Sequence, residues 1–228
     1  MKLSLKELKQ DPQAAVIVVD MQPDFYSSGA LPVKGGEEIV LPISRAIEGF
    51  STIVFTQDSH PSPHISFASS YKQMKPFELL KLSQASAAQA FSVSEVQEYL
   101  KSVKNSEQVL WPDHCVQGRT GWELDARLHP EKAHLILRKG TKPLVDSYSA
   151  FFENDGTSTG LSGFLRARGI RRVLVCGLAG DYCVLWTVQD AVREGFEVFF
   201  DLSLTRFVDF PSGSRQKAEE YLSNFLFH

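Results

Sequence analysis

Arg172-Val-Leu-Val-Cys-Gly-Leu-Ala-Gly-Asp-Tyr-Cys183-Val-Leu-Trp-Thr-Val-Gln-Asp-Ala191 reads as a buried strand that runs through a glycine-punctuated turn straight into a helix. A cysteine at such a helix start meets the positive end of the helix dipole and the unpaired first-turn N–H groups, and both favour thiolate over thiol. Cys183 is therefore a candidate nucleophile. Cys176, inside the strand, suits a small apolar packing residue instead.

Further apolar runs rich in Val and Ile lie at 15–19, 52–56, 134–137 and 196–200, separated by amphipathic segments. This alternation predicts an α/β fold, a three-layer αβα arrangement of Rossmann-like topology with a central, mostly parallel sheet of about six strands. Such sheets bind ligands beyond the carboxyl ends of their strands, where the strand order reverses. Asp20 directly follows the first run, Asp58 and His60 follow the second, Lys139 follows the 134–137 run, and Cys183 follows the 172–175 run. Unrelated surface charges would have no reason to collect at the same end of successive strands.

The 228 residues are 43% hydrophobic, enough for a sizeable core, and no Gly/Ser- or Pro-rich linker divides the alternation, so residues 1–228 read as one domain. A formal net charge of −3 without a basic block argues against nucleic acid or an anionic membrane as partner. The first ten residues form a charged amphipathic turn or short helix rather than a signal peptide, and no apolar run is long enough to span a bilayer. Three cysteines, an odd number, suit a reducing compartment, so a cytoplasmic location is expected. Between 71 and 107 the chain turns rich in Lys, Gln, Ser and Ala. The segment reads as a helical insertion, a solvated connection or else a lid or oligomer contact, with a serine N-cap signal near Ser94.

Asp58-Ser-His60 places a carboxylate and an imidazole on alternate residues of an extended segment, so both project to one side. A third ligand is available from Trp111-Pro-Asp-His114-Cys-Val-Gln-Gly118, and His64 is a possible fourth. One carboxylate with imidazoles suits a divalent ion, zinc ahead of manganese or iron. Asp20, Lys139 and Cys183 form a nucleophile set without histidine: the ammonium would lower the thiol pKa and the carboxylate would carry the proton. Asp24 is the competing acid but suits a loop-holding role, and Arg138 would face away from Lys139 on an extended chain.

Val18-Val-Asp20-Met-Gln-Pro-Asp-Phe25, Thr56-Gln-Asp58-Ser-His60-Pro, the Trp111 to Gly118 segment, Arg138-Lys139-Gly-Thr and Gly177-Leu-Ala-Gly-Asp-Tyr-Cys183-Val together resemble the successive motifs of nicotinamidases, within the isochorismatase-like cysteine hydrolases. The resemblance covers residues 14–209. It implies a catalytic triad of Asp20, Lys139 and Cys183 and metal ligands Asp58, His60 and His114. It also implies a cis Leu178-Ala179 peptide that aims the N–H groups of Ala179 and Cys183 at the oxyanion, and a substrate site formed by Phe25, Trp111, Tyr148, Leu178 and Ala179.

The activity so implied is conversion of nicotinamide to nicotinate and ammonia through a thioester, in NAD salvage, with pyrazinamide-like analogues also accepted. A homo-oligomer is compatible with this architecture. The alternative within the superfamily is a hydrolase acting on a different small amide or enol ether. A non-catalytic nucleotide-binding module is disfavoured, because the first strand leads into Asp20-Met-Gln-Pro and not into a glycine-rich phosphate loop.

Overall fold

A computed structural model of the chain describes residues 3–227, with the Lys104 side chain left aside. Met1 and Lys2, which open the expected N-terminal segment, lie outside the described residues, as does His228. The elements run α1 (Leu5–Gln10), β1 (Ala14–Val19), α2 (Val40–Ile47), β2 (Ile53–Asp58), β3 (Leu79–Lys81), α3 (Val93–Ser102), β4 (Glu107–Val109), β5 (Leu135–Lys139), α4 (Leu161–Ala167), β6 (Arg172–Gly177), α5 (Cys183–Arg193), β7 (Glu197–Thr205) and α6 (Ser214–Leu222), joined by turns and short 3-10 segments.

Among the described residues the central sheet has five strands in the order β5-β2-β1-β6-β7, every pair parallel. That is one fewer than the approximate expectation, because the remaining two strands pair only with each other, antiparallel, in a separate ribbon. All six residues of β1 are buried, which explains why it reads as a continuous apolar run rather than an alternating one. Its alternate side chains serve two cores. Ala14, Val16 and Val18 pack with Ile43, Ala46 and Ile47 of α2, whereas Ala15, Ile17 and Val19 pack with Leu161 of α4, Val188 of α5 and Ala218 of α6. This gives the three layers, and Ile17→Ala would cost on the order of 2–5 kcal/mol here. Cys176 faces the α2 core, fully buried.

The chain crosses from one side of β1 to the other between β5 and β6, so the order reverses at the β1/β6 junction. Asp20 leaves β1 at that crevice and Cys183 opens α5 beyond β6. Gly177 ends β6 with φ +113°, and a Cβ there would stand 2.2 Å from the Val19 carbonyl oxygen, so only glycine lets the two strand ends approach this closely.

The 71–107 segment departs from a helical reading. Leu79–Lys81 is a strand paired with Glu107–Val109, residues 82–87 form a 3-10 turn, and only α3 is α-helical, capped by Ser92 with Glu95 rather than from Ser94. The segment is also not merely solvated: Tyr71, Leu80, Val96, Tyr99 and Leu100 form a small core of their own with Ile65 and Leu110. No helix among the described residues is long and apolar enough to cross a membrane.

Candidate active site

Lys139, the last residue of β5, is fully buried and its ammonium is the hub of the crevice. Nζ lies 2.8 Å from Asp20 Oδ2, 2.9 Å from Asp58 Oδ1, 3.1 Å from the Ser147 carbonyl and 3.5 Å from Cys183 Sγ. Burying one ammonium is tolerable only because two carboxylates compensate it. Asp20 has a left-handed φ of +49° and is held by Thr56, whose hydroxyl accepts from the Asp20 N–H at 3.1 Å and donates to Asp20 Oδ1 at 2.6 Å. Oδ2 makes its ion pair with Lys139 but receives no well-aligned hydrogen bond, so this buried oxygen keeps lone pairs free for a proton.

Burial raises the Asp20 carboxyl and outweighs the pull of Lys139, with the Asp58 charge adding to the rise. Burial likewise pushes the Cys183 thiol well up, Lys139 draws it down less strongly, and Asp20 and Asp58 push it further up. A helix start and one lysine therefore do not by themselves make a resting thiolate here: two buried carboxylates stand against one ammonium. Lys139, although burial opposes its charge, is held well above the ordinary lysine range by Asp20, Asp58 and Cys183. Asp58 stays well below the usual carboxylate range because attraction to His60 and Lys139 overcomes its desolvation.

The same Asp58 turns its other oxygen to two imidazoles. Oδ2 lies 3.0 Å from His60 Nε2 and 3.3 Å from His114 Nε2, all three residues buried. The far nitrogens face backbone carbonyls, His60 Nδ1 at 3.0 Å from Gly140 O and His114 Nδ1 at 2.8 Å from Pro112 O. A carbonyl can only accept, so each Nδ1 carries a proton, and Nε2 is the ring nitrogen that each histidine turns to Asp58. One carboxylate oxygen and two imidazole nitrogens thus converge in a buried space, a donor set that fits a divalent cation. Gly140, at φ +64°, permits the contact, since a Cβ there would stand 2.5 Å from His60 Cε1. His64 does not join this trio. Its ring lies against His60 with centroids 4.1 Å apart and planes tilted by 32°, its nitrogens face Ser66 Oγ and the Val145 carbonyl, and it groups with His60 and Asp146.

A small cavity of about 30 Å³ opens beside these two clusters, lined by Cys183, Asp58 and His114 together with Phe25, Trp111, Tyr148 and Ala179. Trp111 Nε1 donates to Tyr148 Oη at 3.3 Å. Leu178, expected beside the substrate, is instead packed into the α2-side core and does not line the cavity, because the turn after Gly177 carries it inward. The Leu178-Ala179 peptide is cis, and the N–H groups of Ala179 and Cys183 donate no hydrogen bond among the described residues.

Asp24 binds loop backbone: Oδ2 accepts from the Cys115 N–H at 2.6 Å and Oδ1 from the Ala30 N–H at 3.3 Å. Arg138 points away, over the Trp122 ring and to Gln57. Sequence reasoning missed Tyr182 and Ser147 as lining residues, and Gln22, whose side-chain amide pairs with both backbone groups of Asp58 at 2.8 and 2.9 Å. Adjacency to Cys183 and Tyr148 was the only signal for the first two; Gln22 had none beyond its place two residues after Asp20.

A doubly wound parallel sheet with an Asp/Lys/Cys cluster at its switch point, beside an Asp/His/His trio, defines the isochorismatase-like class of α/β proteins. The chain belongs to the isochorismatase family, whose domain matches residues 14–202, and to its nicotinamidase branch. It is 41% identical over 212 residues to the nicotinamidase of Acinetobacter baylyi, covering 92% of this chain and 89% of that protein. Among solved structures, an Acinetobacter baumanii nicotinamidase/pyrazinamidase superimposes with a TM-score of 0.81 at 36% identity, covering 94% of each chain. A Pyrococcus horikoshii pyrazinamidase in complex with zinc does so with a TM-score of 0.68 at 32% identity, covering 94% of this chain and 97% of that one.

Proposed function

We propose that the protein is a nicotinamidase that hydrolyses nicotinamide to nicotinate and ammonia, with Asp20, Lys139 and Cys183 as catalytic residues, in NAD salvage. The observation that carries this reading is the position of Lys139 Nζ, within 3.5 Å of both Asp20 and Cys183, with Cys183 lining an aromatic-walled cavity that Asp58 and His114 also line. The reading treats residues 1–228 as one hydrolase domain with 71–107 inserted in it. Nicotinamide and close analogues such as pyrazinamide are its substrates.

Asp58, His60 and His114 would hold a divalent cation, zinc by the chemistry of one carboxylate and two imidazoles, and when bound it supplies a Lewis-acid centre for the pyridine nitrogen. Phe25, Trp111 and Tyr148 then border the ring and place its carboxamide over Cys183. The thiol proton passes to Asp20, whose carboxylate has a raised proton affinity, and Sγ attacks the amide carbon. The carbonyl oxygen takes the negative charge and is held by the N–H groups of Ala179 and Cys183. As the C–N bond breaks, Asp20 returns the proton to the nitrogen and ammonia leaves a thioester. Asp20 then takes a proton from water, which attacks the thioester; the sulfur departs and recovers that proton as nicotinate is freed. Lys139 keeps its charge throughout and stabilises the sulfur and carboxylate in turn.

Nicotinate and ammonia measured from purified protein and nicotinamide, before and after chelation, test this directly. Formation of both products, lost on chelation and restored by zinc, is the expected result. Absence of turnover on nicotinamide, with release of ammonia from some other small amide, would move the protein to the wider hydrolase reading.

A further inference from the structure

Phe77, at the start of the 71–107 excursion's ribbon, has a left-handed φ of +69°, a conformation that residues with bulky side chains seldom adopt. Two backbone hydrogen bonds hold it there. The Phe77 N–H donates to the Leu110 carbonyl at 2.6 Å, and the Leu110 N–H donates to the Glu78 carbonyl at 2.8 Å. Leu110 immediately precedes Trp111, so the excursion is tied to the cavity wall at this point. The Phe77 ring, 40% exposed, meets Trp111 edge to face with centroids 5.8 Å apart at 87°, and Phe210 at 5.1 Å and 61°. Trp111 is 4% exposed and is met elsewhere by the edge of Tyr182 at 4.9 Å and, through Nε1, by the Tyr148 hydroxyl.

A half-exposed aromatic in a disfavoured backbone conformation contributes little to a core, yet here its ring backs the indole that walls the cavity. We infer that Phe77 is a positioning residue, which fixes the Trp111 ring and thereby sets substrate affinity. This rests on the nicotinamide reading of the site. It also gives the excursion a part in the site that neither a lid nor a plain connection would have.

Phe77→Gly is the informative variant, because glycine adopts the left-handed φ freely while the ring is lost. We expect KM for nicotinamide to rise about three- to tenfold, the size of one aromatic edge-to-face contact, with kcat within about twofold of wild type. Phe77→Tyr, which keeps the ring, restores the wild-type KM. The Trp111 indole N–H resonance, assigned with Trp111→Phe, shifts in Phe77→Gly and not in Phe77→Tyr, a readout that needs no turnover. An unmoved indole resonance with an unchanged KM overturns the inference. A wild-type protein inactive on nicotinamide, with the indole shift still present, would instead remove the functional reading and leave the positioning of Trp111 standing.

Discussion

Lys139 Nζ stands 3.5 Å from Cys183 Sγ while also paired with two carboxylates, so its ammonium is shared between three acidic groups. The arrangement makes Lys139 less an activator of a permanent thiolate than a compensating charge for whichever neighbour is ionised. Asp20 and Cys183 both hold protons more tightly than usual, which suits exchange of one proton between them.

Lys139→Met keeps the side-chain length and deletes the charge. The ammonium is the group that draws the Cys183 thiol down, so its loss moves the pH midpoint of iodoacetamide alkylation further up. Turnover should fall by about 10² to 10⁴. An alkylation profile identical to wild type would leave Lys139 a structural residue only. Lys139→Arg is a poor control, because a planar guanidinium does not replace a compact ammonium between these partners.

Cys183→Ala should abolish nicotinate formation while nicotinamide binding, followed by calorimetry, and the melting temperature stay near wild type, since one small buried side chain replaces another. Cys176 packs in the α2-side core and Cys115 serves Asp24 through its backbone N–H, so Cys176→Ala and Cys115→Ala should retain turnover. Activity that survives Cys183→Ala would remove the nucleophile assignment.

The strand ends were legible because a fully buried parallel strand announces itself as an unbroken Val/Ile run, and the polar residue that follows it must sit at the crevice. Ala14–Val19 with Asp20 and Arg172–Gly177 with the turn to Cys183 are the clearest cases. The double duty of Asp58 was not legible: no spacing reveals that one oxygen meets Lys139 and the other two histidines. Nor was the state of the thiol, since the helix-start argument weighs a dipole but burial and two carboxylates decide. The ribbon of Leu79–Lys81 and Glu107–Val109 escaped because its partners are 26 to 30 residues apart and each strand is only three residues long.

Asp125 gives a stability prediction away from the chemistry. Its carboxylate accepts from Tyr26 Oη at 2.9 Å and from the Arg127 backbone and guanidinium. Burial opposes its charge, but these hydrogen bonds outweigh it and hold its pKa below the ordinary 3.8. A depressed folded value means stability that is present above the unfolded pKa and lost as pH falls through the folded one. Asp125→Ala should therefore lower the unfolding free energy by about 1–2 kcal/mol at pH 7 in urea titrations. The gap to wild type should narrow below about pH 4. A gap constant from pH 7 to 3 would show that the charge is not what matters.

Removal of the cation tests the second cluster independently of the thiol. If Asp58, His60 and His114 hold a divalent ion that meets the pyridine nitrogen, His114→Ala leaves two ligands, and the ion should be lost to elemental analysis. Its melting temperature should no longer respond to added zinc, whereas chelated wild-type protein should regain stability on zinc addition through binding to the folded state alone. His60→Ala should behave alike. Benzamide has the carboxamide and the ring but lacks the ring nitrogen, so it should be a poor substrate for the metal-loaded wild type, chiefly through a raised KM. Equal kcat/KM for benzamide and nicotinamide would separate the metal from substrate recognition, and Asp58, His60 and His114 would then be left as a structural site beneath the cavity.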